Sequence, residues 1–367
     1  GIIGVPQTIN PLLSDDNPVD QELVALVFDG LTRYDENGLL VPVLAESWTV
    51  SEDGLMVTFI LRDDVRWQDG EPFTAADVVF SYQLLQNPDF PAPAGVRALW
   101  ETVTIASEAD NQVSFTLTEP YSPFLEMTTR GIVPAHVLGD VPAAEIADHE
   151  FNRFPVGTGP FAVSRSENWP RTGRLRLLPN PPYWPNGIQL ADLVFRFYPD
   201  NNSLIAAYEA GDIQAINNIP PSFLPDYIQL PGLRLFTAPH ERYSQVLFNL
   251  SPTGNGAIAQ DEVRRALVQG LDRRALLDAT LHGQGILLEG PYLPSSWAYD
   301  ENVPAAQPYD LAGAAAALDA AGWTVPEGSS VRQQAGTPLI FRLVYWDVPP
   351  YRDIAQNIAD QWAALNV

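Results

Sequence analysis

One eight-residue stretch limits this chain more than any other: Phe154-Pro155-Val156-Gly157-Thr158-Gly159-Pro160-Phe161. Glycine permits left-handed backbone and close approach, whereas proline fixes φ and removes an N–H donor. Alternated between two phenylalanines, these residues specify a defined turn anchored in a core at both ends. Two glycines so close together also suit a loop that cradles phosphate. Such a loop needs a lysine, and all 20 basic residues of this chain are arginines. The phosphate reading fails on that count.

At 367 residues the chain is too long for one ordinary core, so two or more lobes are expected. Hydrophobic residues make up 46% and charged residues 18%, the balance of a folded protein. The net charge of −25 is spread along the chain, not gathered in blocks. Nucleic-acid binding, which requires a clustered basic face, is excluded, and electrostatic docking on anionic lipid is disfavoured. Cysteine is absent, which removes disulfides, thiol nucleophiles and cysteine metal sites. No run approaches the ~20 apolar residues of a membrane helix. The chain opens on Gly1-Ile2-Ile3-Gly4-Val5 as though mid-domain and closes on Ala363-Ala364-Leu365-Asn366-Val367 just after a helical pattern. A leader is therefore expected to precede it and further chain to follow it.

Short strands and helices mix without a strict βαβ rhythm, and there is no internal repeat. Residues 1–5 read as a strand and 20–28 as a helix. The turns Glu36-Asn37-Gly38 and Glu52-Asp53-Gly54 punctuate 31–61, and the β-rich run 56–61 after Asp53-Gly54 signals a hairpin. Thr74-Ala75-Ala76-Asp77 is a capping-box variant that launches a helix ending before Pro88. Further strands are expected at 113–117, 161–163, 175–178, 191–198, 233–236, 243–250 and 339–346. Further helices are expected at 202–210, 261–270, 273–281, 310–321 and 351–365, with Asp261 and Asp272 as N-caps.

Catalytic motifs are missing. His136, His149, His240 and His282 are isolated, no H-E-x-x-H or G-x-S-x-G occurs, and without lysine there is no Schiff-base chemistry. Asp35-Glu36-Asn37-Gly38 lacks the alternating ligands of a calcium loop. The 45 acids leave a two-carboxylate hydrolase open without favouring it. More distinctive are the aromatics beside Pro, Gly or Asn: Trp100, Tyr183-Trp184, Tyr292, Trp297, Tyr345-Trp346 and Tyr351. They read either as core anchors or as walls of a ligand cleft.

The order of motifs carries a resemblance. Ile9-Asn10-Pro11, Phe28-Asp29-Gly30-Leu31, Leu44-Ala45-Glu46-Ser47-Trp48 and Ser51-Glu52-Asp53-Gly54 come first. Asp69-Gly70-Glu71-Pro72-Phe73-Thr74-Ala75-Ala76-Asp77-Val78, Ile132-Val133-Pro134-Ala135-His136 and the 155–161 turn follow. Asn180 to Trp184, Phe248-Asn249-Leu250, Val263-Arg264-Arg265-Ala266-Leu267 and Ser296-Trp297-Ala298-Tyr299-Asp300 complete the series. In this order the chain resembles, over essentially its whole length, the extracytoplasmic solute-binding proteins of ABC importers, specifically the oligopeptide/dipeptide/nickel-binding family 5.

The resemblance implies an α/β, two-lobed periplasmic-binding-protein-like fold of the class II type with an additional inserted domain. Residues 1–31 and 149–242 would form lobe I, 32–148 the insertion and 243–367 lobe II, with the C-terminal return to lobe I missing. It implies a binding protein and not an enzyme, without cofactor or directly bound metal. Such a protein acts as a monomer, captures a small solute between its lobes and delivers it to a membrane permease whose partner subunits hydrolyse ATP. Short peptides lead among the ligands. Metal chelates and oligosaccharides are the rivals within the family, a peptide-holding chaperone the rival outside it. The location implied is the periplasm, or the cell surface as a lipoprotein. By motif matching, Ser14, Asp15, Asn17, Trp100, Arg130, Asn249, Tyr292, Trp297, Trp346 and Tyr351 are the implied ligand contacts. Arg130 is either a clamp for a ligand carboxylate or an ordinary surface residue. The link Asn186-Gly187-Ile188 and the run Pro326-Glu327-Gly328-Ser329-Ser330 depart from the family pattern.

Overall fold

The computed structural model describes residues 1–14, 17–35, 38–166, 168–181, 183, 190–237, 243–251, 255–294 and 299–367, the side chains of Ala94 and Glu108 excepted. The chain divides into two compact units, Gly1–Asn217 and Asn218–Val367.

In the first unit β1 (Ile2–Ile3) is followed by α1 (Pro18–Val27) and the hairpin of β2 (Thr32–Tyr34) and β3 (Leu40–Pro42). Next come β4 (Ala45–Val50), β5 (Met56–Leu61), α2 (Ala75–Gln86), α3 (Ala94–Trp100), β6 (Thr104–Ala109) and β7 (Gln112–Thr116). These strands form an antiparallel sheet in the order β4-β5-β7-β6. Then β8 (Phe161–Val163), β9 (Arg174–Pro179), β10 (Leu193–Tyr198) and α4 (Asn201–Glu209) close the unit. The second sheet runs β1-β10-β9-β8, with β1 parallel to β10 and the other pairs antiparallel. One continuous apolar core, from Ile2 to Leu177, underlies both sheets.

Local chemistry explains the element ends. The Thr74 N–H donates to Asp77 Oδ2 at 2.9 Å, the reciprocal half of a capping box at the start of α2. The buried Asp77 carboxylate also accepts from the Ala135 N–H at 2.9 Å and from Trp67 Nε1 at 3.3 Å. A cap therefore doubles as a tie to a distant segment. Gly54, at φ +71, turns β4 into β5.

Residues 155–161 are the seam of this unit. The Gly157 and Gly159 φ angles are not left-handed; the need is for space. A Cβ on Gly157 would strike the Val27 carbonyl oxygen, and one on Gly159 would sit 2.6 Å from the Val27 carbonyl carbon. This close approach lets the Gly159 N–H donate to the Val27 carbonyl at 2.9 Å at the end of α1. Gln68 completes the join. Its Oε1 accepts from the Gly157 N–H at 2.9 Å, and its Nε2 donates to the carbonyls of Val27, Gly159 and Phe161.

The second unit is mainly helical: α5 (Asp261–Gln269), α6 (Arg273–Leu281), α7 (Leu311–Ala320) and α8 (Tyr351–Ala363), with the two-residue strands β11 (Gln333–Gln334) and β12 (Thr337–Pro338). Val263, Leu267, Leu318, Trp323, Ile358 and Trp362 form its core. Arg332 is buried at the centre, donating to the carbonyls of Leu365 and Trp323 and to Asp319. Asp272 caps α6, accepting from the Ala275 N–H at 2.8 Å. Asp261 is instead the first helical residue of α5, after Gln260.

Three expectations are corrected here. Runs 233–236, 243–250 and 339–346 carry strand-forming sequence but form no strand among the described residues. A strand exists only where a neighbour supplies the other half of its ladder. Several of their large apolar side chains stand exposed, Phe236 at 81% and Leu247, Val344 and Trp346 at 78% each, whereas Leu339 is buried.

Substituting Gly157→Ala should destabilise the first unit by about 1–3 kcal/mol, through overpacking against the Val27 carbonyl. Gly95→Ala, in α3 with open space around the added methyl, should be neutral or slightly stabilising. Thermal denaturation of both variants checks this; equal melting points would refute the close-approach account.

Candidate functional site

In the first unit the loop leading to α1 meets the 128–133 segment, which meets α2, which packs on α3. Asn10 shapes the loop: its Oδ1 accepts from the Leu12 N–H and its Nδ2 donates to Asn152 Oδ1, both at 2.9 Å. The loop's Pro11 carbonyl accepts from Arg130 Nη1 at 2.8 Å, which fixes the guanidinium. Close packing here requires Gly131, since a Cβ there would lie 2.8 Å from Phe28 Cβ and 2.9 Å from Pro11 Cβ. One step on, Ser81 of α2 and Val133 exchange bonds: the Val133 N–H donates to Ser81 Oγ at 2.9 Å, and Ser81 Oγ donates to the Val133 carbonyl at 3.2 Å.

Behind this segment lies an aromatic nest. Tyr82 stacks on Trp100 with ring centroids 4.1 Å apart, and Phe115 meets Tyr82 edge-on at 5.3 Å. Phe115 and Phe124 flank Trp100 at 5.9 and 5.7 Å. Trp100 is therefore an interior residue, 1% exposed. Its indole packs against three rings, the surroundings of a core anchor. Burial drives the Tyr82 phenol well above the ordinary tyrosine range, while the Arg130 charge pulls the other way.

The other sequence-derived residues divide. Ser14 is buried beside the Pro11 loop. The Asn17 amide is consumed by structure, with Oδ1 accepting from the Val19 N–H to cap α1 and Nδ2 donating to the Val5 carbonyl. In the second unit Asn249 is exposed and its Oδ1 accepts from the Ser251 N–H at 3.0 Å. Tyr292 and Trp346 are exposed, and Tyr351 opens α8. Asp15, Trp297, Trp184, the Glu36-Asn37 turn and the Asn186-Gly187-Ile188 link lie outside the described residues. Among the described residues no group of three His, Asp or Glu side chains is placed to hold a metal ion. No helix of those residues is long and apolar enough to cross a membrane.

A second polar cluster surrounds Asp29, a residue that the sequence marked only as part of a motif. The Asp29 N–H donates to Thr158 Oγ1 at 3.2 Å, and the Thr158 hydroxyl stands 3.5 Å from Asp29 Oδ2. Tyr183 O–H donates to Oδ1 at 3.4 Å. Burial pushes the Asp29 carboxyl up to about 6, opposed by the charge of Arg33 and by the bonds from Tyr183 and Thr158. The Tyr183 phenol is pushed up to about 12, first by burial and then by the Asp29 charge.

Within Gly1–Asn217, a first strand joins a sheet built from residues far along the chain, with a wholly antiparallel sheet inserted between. That is the arrangement of a periplasmic-binding-protein type of fold, and comparison with known proteins agrees. The chain belongs to the bacterial extracellular solute-binding proteins, family 5, whose family model matches residues 40–367. Protein XP55 of Streptomyces lividans is 31% identical over 348 residues, covering 94% of this chain and 60% of that protein. The oligopeptide-binding protein AppA of Bacillus subtilis (strain 168) is 29% identical over 349 residues, covering 94% of this chain and 62% of that one. Among solved structures, NikZ from Campylobacter jejuni in complex with Ni(L-His) matches with a TM-score of 0.72 at 27% identity, covering 100% of this chain and 71% of the other. The chain thus spans roughly three fifths of the length of these two curated relatives.

The raised Asp29 pKa gives a signed expectation. A carboxyl titrating near 6 in the fold and near 3.8 outside it favours the fold fully below pH 3.8. That contribution is lost as pH rises through 6, beyond which a buried charge remains as a cost. Asp29→Asn should therefore raise stability at pH 8 by about 2–3 kcal/mol and give no gain at pH 3.5. Denaturant titration at both pH values measures it, and an equal effect at the two would discard the burial account.

Proposed function

We propose that this chain is the solute-capturing component of an ABC import system, acting outside the cytoplasm and handing its ligand to a membrane permease. The observation that carries the reading is the family match over residues 40–367. Short peptides are the leading ligand, in line with the oligopeptide-binding relative. Arg130 is the proposed anchor for a ligand carboxylate, because its guanidinium is preset by the Pro11 carbonyl and needs no reorganisation on binding. Ser14, buried in the loop that follows Pro11, is proposed as a further contact. Residues 32–148 are the proposed inserted domain.

The protein binds without turnover, as a monomer. A micromolar ligand requires about −8 kcal/mol, within reach of one charge-assisted clamp and a few buried aromatic contacts. A second reading is a metal chelate, favoured by the likeness to a structure holding Ni(L-His). With no three-residue metal group among the described residues, the chelate would be held through its carboxylates and not through its metal.

Thermal shift of the chain against trialanine, maltotriose and nickel–L-histidine separates these readings, since a ligand of the native state raises its melting point. Trialanine should stabilise most. Shifts with maltotriose alone would sink the peptide reading, and turnover of any probe would sink the binding-protein reading. Arg130→Ala should weaken trialanine binding more than tenfold by calorimetric titration; unchanged affinity would make Arg130 an ordinary surface residue.

A further inference from the structure

Two asparagines 142 residues apart in sequence, Asn10 and Asn152, meet side chain to side chain inside the first unit, where they are 0% and 4% exposed. Asn152 closes the 3-10 turn Glu150–Asn152, and its Nδ2 donates to the carbonyls of Ile146 and Ala147, both at 2.7 Å. Carbonyls only accept, so the amide must face them with its nitrogen, which leaves its Oδ1 to accept from Asn10 Nδ2. That in turn leaves Asn10 Oδ1 for the Leu12 N–H at 2.9 Å. Each orientation along this line is dictated by the one before it. The Asn152 carbonyl also accepts from the Ile9 N–H at 2.8 Å, so the loop is held on both sides of Asn10.

The line ends on a peptide group that faces a cation. The Leu12 N–H and the Pro11 C=O belong to one planar unit, so holding the first fixes the direction of the second. The Pro11 carbonyl is the acceptor of Arg130 Nη1 at 2.8 Å. Burying two amides costs desolvation that an apolar pair of the same size would not incur. Packing alone would be served by leucines; setting the tilt of a peptide plane takes directional bonds that are all satisfied.

We infer that Asn152 is a positioning residue for solute recognition, which through Asn10 fixes the Pro11–Leu12 peptide plane and so sets the angle at which Arg130 presents its guanidinium. The inference rests on the reading of Arg130 as the ligand anchor and names the interior group that orients it. In sequence Asn10 stands out as part of a motif, whereas Asn152 carries no local signal, because its partner is far along the chain.

The test is calorimetric titration of trialanine into the full chain, below the melting onset of each variant. Wild type, Asn152→Leu, Arg130→Ala and the double variant form one cycle. Asn10→Ala, alone and with Arg130→Ala, forms a second that leaves the Asn152 bonds to Ile146 and Ala147 in place, and it decides if Asn152→Leu does not fold. Asn152→Leu and Asn10→Ala should each bind trialanine at least fivefold more weakly than wild type. Added to Arg130→Ala, each should change affinity by less than twofold, because a residue that acts through Arg130 has nothing left to orient. A merely structural asparagine would lower the melting point and leave the affinity of the folded protein alone, so wild-type affinity of either folded variant overturns the inference. Losses that multiply in the double variants overturn it as well, and in both cases a loss with Arg130→Ala alone leaves the anchor reading standing. If Arg130→Ala binds trialanine as wild type does, or wild type does not bind it, the anchor reading falls and this inference with it.

Discussion

Backbone lying directly on backbone, at Gly157 and Gly159 against Val27, is the contact on which the first unit depends. The end of α1, the start of β8 and the loop at Gln68 meet there with no side chain between the first two. Gln68 fills the remaining hydrogen-bonding demand with one amide and four partners. Asn180 adds another tie, its Nδ2 donating to the Gly159 carbonyl at 3.0 Å. These contacts fix where Asp29 and the Phe28–Leu31 turn lie, and with them the Pro11 loop, since Gly131 packs between Phe28 and Pro11. The Pro11 loop, whose carbonyl holds Arg130, is thus positioned through a chain of glycines. Each one is small for a steric reason that can be named.

How much of this was legible in sequence depended on whether a signal was local. The Thr74–Asp77 box, the Gly54 turn, the Gly211 and Gly322 stops after α4 and α7, and the α1 and α2 spans were all readable, because the residues that decide them are neighbours. Runs 233–236, 243–250 and 339–346 were not, because strand identity is conferred by a partner. Gly157 and Gly159 were recognised as structural, but close approach and not positive φ is the cause. Among site residues, Arg130 and the Pro11 loop do come together. Trp100 illustrates the opposite outcome: an aromatic beside a loop satisfies both a core and a cleft reading, and three neighbouring rings decide for the core.

The two buried polar groups near the Pro11 loop and the seam behave in contrasting ways. Asp29 has found partners, though long ones, and carries the desolvation of its charge as an upward pKa shift. The Tyr82 hydroxyl has no hydrogen-bond partner among the described residues. A buried acid adjusts by changing its protonation, but a phenol this far from titration has no such outlet and must find a partner or do without. Of the two, Asp29 is accordingly the pH-responsive group.

The ion pairs carry one more consequence. Among the described residues every pair other than His136–Asp69 joins an arginine to a carboxylate, from Arg62–Asp64 to Arg352–Asp347. Each exposed pair contributes little alone, about 0–1 kcal/mol. Lysine ammonium groups discharge above about pH 10, whereas guanidinium stays charged. Alkali therefore leaves the arginine–carboxylate attractions in place, and acid removes them by discharging the carboxylates. The surface electrostatics are one-sided, tolerant of base and vulnerable to acid.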